Sequence, residues 1–451
     1  MVTKNDTAIA AINVKIIESL KTYLVTVLSD IKLRKEVFQS VNNFTRNRKL
    51  PLSLLVSLLL NMVKRSLSIE IRDFYNSLGN GSSRVTKAAF SLQRVKLLPL
   101  FFIKWNKILV DSYYEEYGSR VKIWKGFKVQ AIDGTTAYLI DNKNVIKYFG
   151  TQDNQYGGKP MARIIQIQDV LNDITVSGNI YPIKESEQAI MSKLIPELSE
   201  DSITLYDRGF PGFALMFLLL NHKKGRHFVM RCKIGFNKEV VSFVNSRKSS
   251  KIIELQATTD AIKSLKEHGY EITKETTIKI RMVKFKLSSG ITEVLLTDLY
   301  DEKLYSLNDM KHLYGLRWGI ETTYDKQKNK LQMEQFSGHK VICIQQDYGA
   351  SLITANLQSL IEKQCNPFLN KLNKKRELDY KINRNVSLGA MKNNIIKLFL
   401  EKDPISILIE LQKEFEQNVE PIRPDRCYPR EKKNRRTKGK YQTFTNYKRA
   451  I

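Results

Sequence analysis

Residues 127–136 read FKVQAIDGTT, with apolar side chains at Phe127, Val129 and Ala131, and then an acid, a glycine and two threonines. Alternation of this kind belongs to a strand, so FKVQAI is expected to be a strand that ends at Asp133. The pattern returns in ARIIQIQDVL (162–171) and ITVSGNI (174–180). It returns again in SITLYD (202–207), which closes on a second acid, Asp207, and in RHFVMRC (226–232). ESEQAIMSKLI and FPGFALMFLLLN, lying between these runs, carry helical patterns. Three strands followed by helix, strand, helix, strand specify an α/β fold, a mixed sheet flanked by helices. Sheets of this class build their sites at strand ends. A single aspartate there is commonly a turn former or helix cap. Two of them on neighbouring strands are a sharper signal.

Working outward, residues 1–120 carry helical periodicity throughout and are expected to form an all-helical region, which a helix-turn-helix-like stretch makes a candidate for reading DNA. Within it, LSIEIRDFYNSL, the turn GNGSS (79–83) and VTKAAFSLQRVKLL resemble a helix-turn-helix that offers Lys87, Gln93 and Arg94. Helix pairs around a glycine turn are common, so this local signal is weak. Residues 121–232 and 301–365 are expected to make the α/β core that carries these acids, the candidate catalytic core. The stretch 233–300 breaks the rhythm with short β-like runs, TTIKIRMVKF and TEVLLTDL, and is expected to be a β-rich insertion on a small sheet of its own. Helices are expected to fill 366–422. The last segment, 423–451, holds eleven Lys or Arg against two acids and reads as a flexible basic arm for phosphates.

The chain has 451 residues and a formal net charge of +28, with a pI near 9.7. A field of that size fits a polyanionic partner, nucleic acid before an anionic membrane surface. Membrane integration is not expected, because LPLSLLVSLLLNMV (50–63) is interrupted by polar residues and FALMFLLL (213–220) is too short. The N-terminus has no signal-peptide pattern. Cys232, Cys343, Cys365 and Cys427 match no zinc spacing and read as reduced thiols. The five histidines form no metal pattern, so any metal here takes carboxylate ligands.

A third acid stands in YGLRWGIETTYDKQKNK (314–330). At about 100° per residue, Tyr314, Arg317, Glu321 and Lys328 fall on one helix face. A solvated face with an Arg317–Glu321 pair is the plain reading of such a row. With Asp133 and Asp207, however, Glu321 completes three carboxylates without His or Cys, a hard-oxygen set suited to Mg²⁺, with Mn²⁺ as a substitute. Two ions held there would serve phosphodiester displacement. Tyr314, Arg317 and Lys328, together with Arg208 beside the second acid, would then hold DNA by its phosphates.

AIDGTT around Asp133, LYDRGF around Asp207 and the spaced set Tyr314, Arg317, Glu321, Lys328 resemble the IS4 family of bacterial insertion-sequence transposases, the DDE group with an RNase H-like core. NNFTRNRKLP (42–51) and NYKRAI (446–451) are similar to family segments too, so the resemblance runs nearly end to end. It implies a cytoplasmic, nucleoid-associated enzyme that cuts double-stranded DNA at terminal inverted repeats and joins the 3′-OH ends to target DNA. It also implies a hairpin intermediate and a homodimer across paired ends. Some relatives place a tryptophan in the insertion to hold a flipped base. The tryptophans here are Trp105, Trp124 and Trp318, which leaves Phe228, Phe236, Phe243, Tyr270 or Phe285 for that task. A catalytically silent DNA-binding relative and a nuclease without strand transfer stay open as alternatives.

Overall fold

The computed structural model describes residues 4–423 apart from 62–63, 80, 82–83, 155–156, 223–224, 288 and 393. The basic segment 424–451 and part of the 79–83 turn thus lie outside the described residues.

Tyr380–Ile382 and Val419–Pro421 pair as a small two-stranded antiparallel sheet, so helices do not fill 366–422 throughout as expected. The other strands are β1 (Lys128–Tyr138), β2 (Thr151–Asn154), β3 (Gly157–Asp169), β4 (Ile174–Pro182), β5 (Ser202–Tyr206), β6 (Arg226–Cys232), β7 (Ser250–Gln256), β8 (Thr277–Lys286) and β9 (Thr292–Thr297). They form one nine-stranded sheet. Its centre runs β4-β3-β1-β5-β6: β1, β3 and β4 are antiparallel neighbours, while β5 lies parallel to β1 and β6 parallel to β5. Three antiparallel strands followed by two parallel ones on the other side of the first is the RNase H-like arrangement, as expected. The parallel pairs are joined through the helices Glu187–Leu194 and Phe213–Asn221, because a parallel return needs a crossover.

Two further expectations are corrected. Asp133 does not end its strand, since β1 continues to Tyr138 paired with Met161 of β3. What ends there is the parallel pairing, whose last register is Ile132 with Tyr206. The segment 233–300 does not fold on a sheet of its own either. β7 pairs β8, β8 pairs β9, and β9 pairs β6, so its strands extend the main sheet. A change of hydrophobic period marks strands but not the edge they will join.

Strand parity sorts the core. Ile132, Tyr206 and Met230 face the layer containing Ile190, Phe213 and Met216. Val129, Ala131, Ile203, Leu205 and Val229 face the opposite layer, with Met310, Leu313 and Ile320 from the helices Leu307–Gly315 and Trp318–Asp325. The 24-residue helix Val341–Gln364 is buried along most of its length. It contributes to that second layer and also to a separate, mainly helical core shared by the N-terminal helices, Ile174 of β4 and the helices Ile395–Leu400 and Pro404–Gln417.

Candidate active site

Asp133 and Asp207 each follow the last paired residue of adjacent parallel strands, so register alone sets them side by side. Parity continues the odd-numbered face, turning both toward the helix that carries Glu321. Arg231 completes the row, because Tyr206 pairs Met230 in the same register. Nothing singled out Arg231 in the sequence. Its position one residue past VM in RHFVMRC, matching Asp207 after LY, was the available signal.

Arg317 organises the acids. Its guanidinium is almost fully buried, with Nη2 donating to Glu321 Oε1 at 2.7 Å and Nη1 lying 3.8 Å from Asp133 Oδ2. Asp133 Oδ1 accepts from the Gly134 N–H at 2.8 Å. Burial, with Asp207 and Glu321 adding to it, pushes the Asp133 carboxyl up to about 6 against the pull of Gly134 and Arg317. Asp207 Oδ1 is buried and accepts no hydrogen bond among the described residues. Arg231 Nη1 stands 3.9 Å from it, while Arg231 Nε bonds Glu293 of β9 at 3.2 Å. Glu321 keeps a third of its side chain open to solvent.

The row Tyr314–Lys328 does not lie on one straight helix. Tyr314 sits on Leu307–Gly315, Arg317 at the break, Glu321 on Trp318–Asp325, and Lys328 in a π-helical turn, Lys326–Lys330. Tyr314 still reaches β5, Arg317 and Lys328 reach β1, and Glu321 joins them through Arg317. The buried Tyr314 hydroxyl donates to the Tyr206 carbonyl at 3.4 Å, and burial raises its pKa far above the usual phenol range. Lys328 Nζ donates to the Thr136 carbonyl at 2.6 Å, and Glu334 is 3.8 Å away. Tyr324 holds the backbone below the first acid, its hydroxyl donating to the Asp133 carbonyl at 2.7 Å.

A further carboxylate borders the site. Arg163 Nη1 donates to Glu187 Oε1 at 2.6 Å. A Cβ on Gly134 would lie 2.5 Å from that oxygen, and one on Gly209 would lie 3.6 Å from the other carboxylate oxygen. Gly134, directly after the first aspartate, therefore makes room for Glu187, whereas a side chain at Gly209 would only touch it. Trp318, next to Arg317, is 55% exposed, and the Arg317 guanidinium stands 5.5 Å from its ring centroid. Arg208 and Lys87 are exposed.

Arg94 is not a surface contact. It is 1% exposed and donates to Gln346, Ser337, the Cys343 carbonyl and Asp347, tying its helix, Lys87–Arg94, to Val341–Gln364. Phe228, Phe243 and Phe285 are likewise buried, so Phe236 and Tyr270 are the accessible rings of that set.

Among the described residues no three His, Cys, Asp or Glu side chains close around one point as they stand. The Arg317 guanidinium stands between Asp133 and Glu321 and supplies the positive charge there. The donor set nevertheless fits a hard divalent cation: three carboxylates only, one with an unsatisfied buried oxygen and one whose ionisation burial opposes. No helix among the described residues is long and apolar enough to cross a membrane.

Residues 124–357 match the family model described as Transposase DDE domain. The transposase InsG of insertion sequence element IS4 from Escherichia coli K12 is 22% identical over 238 residues, 52% of this chain and 52% of that protein. The putative transposase InsZ of the same strain is 23% identical over 126 residues, 27% of this chain and 42% of that protein. The chain thus spans about half the length of these relatives or less. A piggyBac transposase synaptic complex with hairpin DNA aligns at 12% identity and a TM-score of 0.40, covering 89% of this chain and 83% of that one.

Proposed function

This chain belongs to the transposase DDE domain family, and from that premise we propose that it is a DNA transposase that cuts at the ends of its insertion sequence and joins the 3′-OH ends to target DNA. One observation carries the reading: Asp133 and Asp207 each follow the last parallel pair of adjacent strands, in register, facing Glu321 across a buried arginine that contacts Asp133 and Glu321.

Asp133, Asp207 and Glu321 would hold divalent cations, two Mg²⁺ with Mn²⁺ as substitute. Such ions supply Lewis-acid activation of the attacking oxygen and charge neutralisation at the leaving one. The chain's own residues do the rest. Arg317 holds the acids while no cation is bound and, once they are engaged otherwise, presents a planar guanidinium to a phosphate. Lys328 is held in place by the Thr136 carbonyl, and burial lowers its proton affinity. It meets a phosphate as a point charge. Tyr314 fixes the helix to β5 and keeps its proton. Arg208 and Lys87 contribute surface charge along the DNA path.

The hairpin route draws support from Trp318, whose exposed indole beside Arg317 offers a stacking face for an unpaired base. We place double-stranded element ends and target DNA as partners, a homodimer as the synaptic unit, and the bacterial nucleoid as the site of action.

The test is a plasmid carrying the gene with its native flanks, incubated with wild-type protein or Glu321→Gln, in Mg²⁺ or EDTA, with the products sequenced. Cuts at discrete flanking ends, dependent on Mg²⁺ and on Glu321, are expected. Binding at intact flanks without cuts would replace this reading with a DNA-binding relative, and cuts without joined products would make it a nuclease.

A further inference from the structure

At the end of β1 away from Asp133, the β3–β4 hairpin and the C-terminal half of Val341–Gln364 border a cavity of about 400 Å³. The Val170 N–H bonds the Val129 carbonyl at 3.0 Å, four residues before Asp133. At the strand rise, that sets this hairpin ~13 Å from the acid. The cavity is separate from the site described above.

Its acids are already matched. Asp173 Oδ2 accepts from Arg384 Nη2 at 2.7 Å and lies 3.7 Å from Lys326 Nζ. Glu362 takes Arg384 Nε at 3.4 Å. Three lining cations make no close ion pair with a carboxylate among the described residues, although Asp173, Asp169 and Glu362 act on Lys363 through space. Lys363 Nζ donates to the Asn172 carbonyl and stands 5.4 Å from the Tyr113 ring centroid. Arg120 and Lys122 are exposed, and their side chains form no ion pair there. Burial, with Lys326 adding to it, pulls the Lys363 ammonium down to about 8 in spite of Asp173, Asp169 and Glu362. A bound anion would relieve that cost. The remaining wall includes Ile9, Leu171 and Pro367. The hydroxyls of Tyr113 and Tyr117 are spent on Asn172 and Asn13.

We infer that this cavity binds a nucleotide unit, its phosphate held by Lys363, Arg120 and Lys122 and its base or sugar packed on Ile9, Leu171 and Pro367. The volume suits a ligand of that size, and three donors of positive charge suit a phosphate rather than a neutral nucleoside. The nucleotide comes either from a DNA strand or free from solution, and the site does not depend on the chemistry at Asp133.

The experiment measures fluorescent dAMP binding to the full chain by anisotropy, and thermal unfolding with dAMP, inorganic phosphate or uncharged deoxyadenosine. Wild type is compared with Arg120→Ala/Lys122→Ala and with Lys363→Gln. The exposed pair can be removed without disturbing the core, so its variant keeps the test valid whatever happens to Lys363→Gln. Saturating dAMP is expected to raise the unfolding midpoint while deoxyadenosine does not, and the paired variant is expected to bind dAMP at least tenfold more weakly. Competition with an unlabelled DNA duplex identifies the source: displacement assigns the site to a DNA strand, and co-binding assigns it to a free nucleotide. No dAMP binding, equal affinity in wild type and the paired variant, or equal protection by deoxyadenosine overturns the inference.

Discussion

Asp133 carries the main electrostatic tension of the proposed centre. Burial and two neighbouring acids lift its carboxyl to about 6 from a usual value near 3.8. The folded state therefore keeps a proton that the unfolded state has already lost, and stability falls as pH rises between those values. Above about 6 the loss is complete, on the order of 3 kcal/mol. Asp133→Asn should recover on the order of 1–2 kcal/mol at pH 7.5 in urea unfolding and flatten the pH dependence between 4 and 6, while abolishing cleavage. An unchanged midpoint would remove the tension from Asp133. Gly134 gives a second test at this scale. Its absent side chain leaves room for the Glu187 carboxylate. Gly134→Ala should cost about 1–3 kcal/mol, and Glu187→Ala in the same chain should return part of it. Equal losses with and without Glu187 would show that the glycine is needed for another reason.

Elements bring these residues together by interruption as much as by regularity. An unbroken helix over 314–330 would hold its side chains in one line. The break at Arg317 instead lets that side chain reach back to Asp133, and the π turn, closed by the Leu331 N–H to the Lys326 carbonyl at 3.0 Å, aims Lys328 at β1. Helical periodicity in a sequence cannot display such a break, because the residues on either side are themselves good helix formers. The helix Lys87–Arg94 gives the converse case. Its last arginine looks like a DNA contact by composition yet bonds Asp347 at 2.9 Å in the interior. Arg94→Ala should destabilise by about 3–5 kcal/mol, since it leaves a buried carboxylate uncompensated. Thermal unfolding checks this. Full stability together with weaker DNA binding would restore the surface role.

At the scale of the whole molecule, the sheet ties its parts into one body. β9 closes the excursion after β6, and Val341–Gln364 serves two cores at once. The net charge of +28 is spread over this body and over a C-terminal segment with eleven Lys or Arg against two acids in 423–451. Removing 423–451 should weaken DNA binding and reduce its salt dependence, because fewer counterions are released. Filter binding across a salt series reads the slope, and an unchanged slope would make the segment a bystander.

The sequence by itself determined the strand alternation, the two acids after SITLY and KVQAI, the third acid in its basic row and the polyanion-seeking charge, all properties written in local order. Tertiary structure alone decided the rest. Register across parallel strands added Arg231 to the aspartate row. Close packing beside Gly134 brought in Glu187 from another element, and burial turned Arg94 from a surface charge into an internal tie. Each of these depends on which distant segment arrives as neighbour. That is fixed by pairing and packing of the whole chain, and no local pattern encodes it.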